Sequence, residues 1–363
     1  MRPAVGAAEL TGATVDELVS FATSLGEPAY RGRQLARWIY QSDAAGFAAM
    51  TDLPAALRVR MAERARLTRL TPLAEVRADG GDTVKYLVGL PDGATVETVF
   101  MRYEDGRRSV CLSTQVGCGM GCTFCATGLA GLTRNLTAAE IVEQVLLVRR
   151  LQGEAVTNVV FMGMGEPLAN YEATVRALRV LNAPWGAGIG MRHLTVSTVG
   201  LVPQIRLLAQ ERFQLTLAIS LHAPDDELRT GLVPINARWP VGELLASGAE
   251  YVRTAGRRVS LEYVLLEGVN DTPDLAARLG TRLIDAARTI DATPGQTWHV
   301  NLIPWNPVYG IQYRRPERAR VEAFVRELDR RAVPATVRLE RGVDIDAACG
   351  QLQRTRGLAI SRR

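Results

Sequence analysis

Cysteine is scarce in this chain, five among 363 residues, histidine is scarcer at three, and Lys85 is the only lysine. No uninterrupted apolar run is long enough to span a bilayer, and the opening MRPAVGAAEL lacks the continuous apolar stretch of a secretory signal. The first absence argues against a disulfide-stapled scaffold, the second against a helical membrane span. Together they predict a cytoplasmic protein with no membrane partner, in a compartment where thiols stay reduced. Cysteines that do cluster there are metal ligands or catalytic groups more often than disulfides.

What the chain does have is bulk and positive charge. With 47% hydrophobic residues it can bury a large core, as one large α/β domain or two to three smaller ones. The formal net charge is +5, carried almost wholly by arginine. Its planar fork suits phosphates and stacks on bases, so the charge is compatible with RNA binding. Alone it is a weak sign. Clusters such as Arg31-Gly32-Arg33, Arg107-Arg108, Arg257-Arg258, Arg314-Arg315 and Arg362-Arg363 read as ordinary solvated faces.

From Val15 to about Leu67 apolar residues recur at spacings of three and four in VDELVSFATSLG, RGRQLARWIYQS and PAALRVRMAERARL, which predicts a small helical domain over residues 1–73. TVKYLVGL and ATVETVFM, separated by Pro91-Asp92-Gly93, predict a linking β-hairpin over 74–103. An α/β core is expected over 104–343 and a closing segment over 344–363. In the core, SVCLSTQV, TNVVFMGM, HLTVST, LTLAISL, VSLEYVLL and HVNLIPW alternate with helix-period segments, the pattern of βα units on a parallel sheet. Periodicity alone does not separate a six-stranded partial barrel from an open doubly wound sheet. Both put active sites at the strands' C-terminal ends. There the chain reads Gly163-Met164-Gly165-Glu166-Pro167, Ser197-Thr198, Ser220-Leu221-His222 and Pro304-Trp305-Asn306-Pro307.

Three of the five cysteines, Cys118, Cys122 and Cys125, fall within GCGMGCTFCATG, where Gly117, Gly119 and Gly121 free the backbone to wrap a bound object. Soft thiolates suit zinc or iron–sulfur clusters. A structural zinc site closes four ligands, and no fourth cysteine or histidine is near in sequence. The bland alternatives are a buried trio of thiols or an incomplete zinc site. The C-x3-C-x2-C spacing is the signature of the radical S-adenosylmethionine superfamily, in which the iron left open holds the cofactor's amine and carboxylate. Glu166 could pair with the methionyl ammonium, and Ser197, Ser220 and His222 could bind its carboxylate and ribose. His222 reads as a positioning group rather than a base, and His193 and His299, near strand starts, as structural.

Taken in order, VETVF, CLSTQVGC, GCTFCATG, NLTAAEI, GMGEPLAN, SLHAPDDELR, PIN, NLIPWNP and GVDIDAACGQL closely resemble the RlmN family, from the helical region to about Leu352. The resemblance implies a partial (βα)6 radical S-adenosylmethionine barrel, with the N-terminal helices as an accessory RNA-binding domain. It implies methylation of adenine C2 in 23S rRNA, at the peptidyl-transferase loop, and in tRNA, at the base 3′ of the anticodon. Cys118, Cys122 and Cys125 would ligate a [4Fe-4S] cluster, and Gly165, Glu166, Ser197, Ser220, Leu221, His222 and Asn306 would bind S-adenosylmethionine, two molecules per turnover.

The first of these methylates Cys349 in the family scheme. The second, cut reductively, generates the radical that makes the Cys349 methyl group add to the base. Glu97 of VETVF matches the proton acceptor, and Cys111 the thiol that releases product by a transient disulfide with Cys349. The expected partners are the two RNAs and a reductant such as flavodoxin or ferredoxin, with the enzyme a monomer. Alternatives are the paralogous C8-methylating resistance enzyme and, in another class, a non-catalytic metal-stabilised RNA-binding protein. Two departures from the family pattern, a long DAARTIDATPGQTW and a short tail after Arg354, lie away from the site residues.

Overall fold

Among the described residues, ten strands hydrogen-bond side by side in the order in which they occur along the chain. The structure is a computed structural model and describes residues 7–338, 341–342 and 345–352. Cys349 is among them; most of the predicted closing segment 344–363, with Arg354 and Arg362-Arg363, lies outside the described residues.

The N-terminal region forms the expected helices. Thr14 and Glu17 exchange side-chain-to-backbone bonds in a capping box that starts Val15–Ser24. Tyr30–Ala36 continues through a π-turn, Arg37–Gln41, and crosses the first helix at Gly32. A Cβ on Gly32 would fall 2.4 Å from Val19, so the glycine sets how closely the two backbones approach. Ala55–Arg64 follows Pro54. Asp43 then accepts from both Arg69 and Arg150, tying this region to the helix Ala138–Gln152.

The strands of the large sheet are β1 (Thr71–Ala78), β2 (Thr83–Gly89), β3 (Thr95–Arg102), β4 (Arg108–Cys111), β5 (Asn158–Phe161), β6 (Leu194–Thr198), β7 (Thr216–Ser220), β8 (Val259–Leu265), β9 (Trp298–Pro304) and β10 (Ala335–Val337). β1 to β4 run as an antiparallel meander, and every pair from β4 to β10 is parallel. Helices such as Tyr171–Asn182, Val241–Ala255 and Pro273–Arg288 make the crossovers. This is the α/β architecture of a partial barrel, with β1 and β10 as edges among the described residues.

Three details differ from the expected strands. SVCLSTQV is not one strand: β4 ends at Cys111, and Gln115–Gly117 leaves to pair with Leu132–Asn135. The break has a local cause, since the Gln144 side chain holds both the N–H and the carbonyl of Ser113, and Ser113 Oγ donates to the Glu97 carbonyl 2.7 Å away. β10 adds a seventh parallel strand, too short to show a period in the sequence. The hairpin expected over 74–103 is continuous with the core sheet, because β3 pairs directly with β4. Among the described residues no helix is long and apolar enough to cross a membrane.

Candidate active site

The loop bearing the cysteine motif is closed at its base by the Gln115–Gly117 and Leu132–Asn135 ladder. Gly117 sits at φ +83, and a Cβ there would come within 1.9 Å of the Gly131 carbonyl, so only glycine closes this turn. Distant segments pin the loop. Thr123 N donates to Leu232 O at 3.1 Å, Trp305 Nε1 to Phe124 O at 3.2 Å, and Ala126 N to Gly350 O at 2.9 Å. Cys118, Cys122 and Cys125 thereby line one cleft together with Gly165, Glu166, Ser197, Ser220, His222, Asn306 and Cys349. The cleft is open to solvent on one side.

Burial pushes the Cys118 thiol up to about 12 and holds Cys122 and Cys125 above the ordinary thiol range. Thiols so placed give up their protons to a metal that binds the thiolate. Among the described residues no three His, Cys, Asp or Glu side chains lie close enough to share a single metal ion. Three thiolates lining one cleft make a soft donor set, which suits an iron–sulfur cluster.

The glycines of GMGEP press the chain against the cysteine loop. At Gly165, φ +102, a Cβ would lie 2.5 Å from that of Gln115. Glu166 is 2% exposed. Its two carboxylate oxygens accept from Leu168 N at 3.0 Å and Val199 N at 2.8 Å, yet burial outweighs these donors and raises the carboxyl to about 7. A ligand ammonium would favour the charged form. Asn306, 3% exposed, has an Oδ1 with no hydrogen-bond partner among the described residues, an acceptor buried at the cleft wall.

His222, at φ +62, accepts from Val264 N at 3.0 Å through Nδ1. Burial, with Arg229 adding, lowers it to about 3, so the ring is neutral with its proton on Nε2. That suits positioning rather than base catalysis. Leu221 does not line the cleft, and its backbone is used instead by Glu262 O and Arg229 Nε. His193 meets Asn158, and His299 meets Thr336, both away from the cleft.

Cys111, the last residue of β4, lines a smaller cavity beside the cleft with Cys349, Asn306 and Arg338. Cys349 lines both, and both thiols are free. Burial pushes Cys111 up to about 12, the Cys349 charge adding and Arg338 opposing. The same Cys349 charge is the main cause that holds the proton on Arg338. Glu97 lines neither cavity; it is 1% exposed on β3, with Oε1 3.3 Å from Lys85 Nζ.

Four residues escaped the sequence reading. Glu262 lines the cleft from β8, holding Ser260 Oγ at 2.9 Å and Asn301 Nδ2 at 3.0 Å on Oε1, with Oε2 3.8 Å from Arg338 Nη1. A lone acid inside apolar VSLEYVLL was its available signal. Arg229, fully buried, donates to the carbonyls of Val199, Ser220 and Leu221 and to Asn236 Oδ1, stapling the ends of β6 and β7. It sits in SLHAPDDELR, and Asn236 in PIN, so the motifs held the clue. Arg338 and Lys85 carried no local pattern.

Comparison with known proteins agrees with this geometry. Residues 112–279 match the radical SAM superfamily, and residues 8–67 match the ribosomal RNA large subunit methyltransferase N-terminal domain. A probable dual-specificity RNA methyltransferase RlmN of Desulforudis audaxviator is 51% identical over 320 residues, 88% of this chain and 97% of that protein. Its counterpart from Kineococcus radiotolerans is 52% identical, covering 90% of this chain and 84% of its own. The crystal structure of a radical SAM methyltransferase from Sphaerobacter thermophilus superposes with a TM-score of 0.88 at 49% identity, covering 95% of this chain and 99% of that one. With both its helical and its barrel region matched, the chain belongs to the RlmN family of dual-specificity RNA methyltransferases.

Proposed function

We propose that the protein methylates C2 of adenine in the peptidyl-transferase loop of 23S rRNA and at the base 3′ of the anticodon in tRNA. The observation that carries this reading is the place of Cys349, which lines both the cleft of the three clustered cysteines and the cavity of Cys111. A residue so placed can take up a methyl group on one side and be released on the other. Cys118, Cys122 and Cys125 hold the [4Fe-4S] cluster. Gly165, Glu166, Ser197, Ser220, His222 and Asn306 bind S-adenosylmethionine, two molecules per methyl transferred. When bound, these groups supply reducing electrons and the methyl group.

Cys349 carries the methyl carbon to the base. Glu97 accepts the C2 proton, and Cys111 attacks the Cys349 sulfur; the Cys349 S–C bond breaks with its electron pair going to the transferred carbon, which takes up a proton to become the methyl group, leaving a disulfide that a thiol reductant reopens. The target base has to leave its stack to enter the cleft, which favours RNA loops. The helical region, residues 1–73, docks the RNA. The enzyme works as a cytoplasmic monomer, with flavodoxin or ferredoxin as electron donor.

The test is anaerobic reconstitution with iron and sulfide, followed by incubation with 23S rRNA and tRNA fragments and mass spectrometry of the digested RNA. Expected are 2-methyladenosine, two S-adenosylmethionine molecules consumed per methyl, and a Cys349→Ala variant that binds cofactor but transfers nothing. An 8-methyl product would move the protein to the paralogous activity. Zinc without iron would make it a binding module.

A further inference from the structure

The only lysine of an arginine-rich chain is buried at the centre of β2. Lys85 is 6% exposed, and among the described residues its ammonium makes two contacts. Nζ lies 3.3 Å from Glu97 Oε1 and donates to the Asp346 carbonyl at 3.1 Å. The first partner is the carboxylate read above as proton acceptor. The second belongs to the segment that carries Cys349, three residues further on.

Strand register explains the meeting. Lys85 stands opposite Val99, Val99 opposite Cys111, and Cys111 opposite Val160, so one row across β2, β3, β4 and β5 shares a face. Glu97 is two residues from Val99 and lies on that face as well. Met101, Cys111 and Val160 of the same face line the cavity that Cys349 enters. The Asp79 carboxylate, just past β1, accepts from Gly342 N at 3.2 Å, a second tie between the meander and the C-terminal segment.

We infer that Lys85 is a positioning residue for product release: one ammonium holds Glu97 charged and aimed while latching the segment that bears Cys349. This rests on the proposed function. An ammonium at this distance favours the ionised carboxylate, the form able to take a proton, where burial alone would favour the acid. In the step concerned the C2 proton passes to Glu97, and the electron pair of the C–H bond stays in the adenine ring. The site suits lysine rather than arginine because a compact charge on a flexible stem can reach a carboxylate and a carbonyl in a buried space, where a planar fork needs more room.

The experiment follows separate steps in Lys85→Met, with Glu97→Gln and wild type beside it. Intact-protein mass spectrometry reads the methyl on Cys349, and denaturing gels read the covalent RNA adduct and its release. Lys85→Met is expected to methylate Cys349 at the wild-type rate, form the adduct, and release product about 100-fold more slowly, as loss of a general base would. Glu97→Gln is expected to stall at the same point. If Glu97→Gln stalls and Lys85→Met releases normally, or loses methylation and release in equal proportion, the inference is overturned. If Glu97→Gln itself turns over normally, the assignment of Glu97 has failed instead, and the role of Lys85 fails with it. Should Lys85→Met not fold, Lys85→Arg keeps the charge and changes only its fit. About 10-fold slower release then supports the inference, and wild-type release overturns it.

Discussion

The two ends of the cleft are built on opposite electrostatic plans. At the cofactor end, Glu166 is held by backbone amides and its acid form is favoured by burial, while the motif thiols are likewise pushed toward their protonated forms. At the thiol end, Glu97 has Lys85 at 3.3 Å, and Cys111 and Cys349 share the field of Arg338. The first end leaves charge uncompensated until a metal and an ammonium arrive. The second sets a cation beside its acid and its thiols, although burial still keeps Cys111 toward its protonated form. An uncompensated site gains affinity for what completes it, whereas a compensated one gains geometry.

The comparison breaks most visibly if the cofactor end is emptied. Cys122→Ser is expected to lose nearly all iron and sulfide and to abolish methylation, read by metal analysis and by the product assay. Retention of iron would show that the three thiols do not act as one donor set. Next in size is Cys111→Ala at the thiol end, expected to keep its iron yet lower multiple turnover by roughly three orders of magnitude. The covalent protein–RNA adduct should accumulate on denaturing gels. Turnover without adduct would mean that release does not pass through Cys111.

The same contrast explains what the sequence made legible. The cofactor end is local: three thiols within eight residues and five residues of GMGEP carry their spacing on the surface of the text. The alternation of apolar runs likewise revealed six of the seven parallel strands. The thiol end is assembled from β2, β3, β4 and the segment around Cys349, so no window of sequence holds it. Cys111, Cys349 and Glu97 were reached only through family resemblance. Lys85 and Arg338 were not reached, because their meaning lies in which buried acid or thiol the fold places beside them. Leu221 shows the reverse case, a residue in a recognised motif that does not line the cleft and whose backbone bonds to Glu262 and Arg229.

A third prediction separates the two plans by pH. The folded-state value of Glu166, about 7, lies above its ordinary 4.5, so the folded chain binds more protons than the unfolded one between these values. The resulting stability is full below pH 4.5 and lost as pH rises through 7, a cost of about 3 kcal/mol at pH 8. Glu166→Gln should therefore raise the melting temperature at pH 8 while leaving it nearly unchanged at pH 4.5. The same variant should weaken S-adenosylmethionine binding about 10-fold or more in calorimetry. Unchanged affinity would remove Glu166 from the cofactor site.

The smallest effect tests how local the cofactor end is. Tyr313 reaches the cysteine loop from far along the chain, its hydroxyl 2.8 Å from that of Thr123 and its ring edge-on to Trp305 with centroids 6.1 Å apart. Tyr313→Phe keeps the ring contact and removes one hydrogen bond at a half-buried position, where water can take its place. The expected cost is about 1 kcal/mol of stability, read by chemical denaturation, with iron content and cofactor affinity unchanged. If so small a change sheds iron, the loop is held in shape by this remote clamp rather than by its own glycines and ladder, and the cofactor end is as non-local as the thiol end.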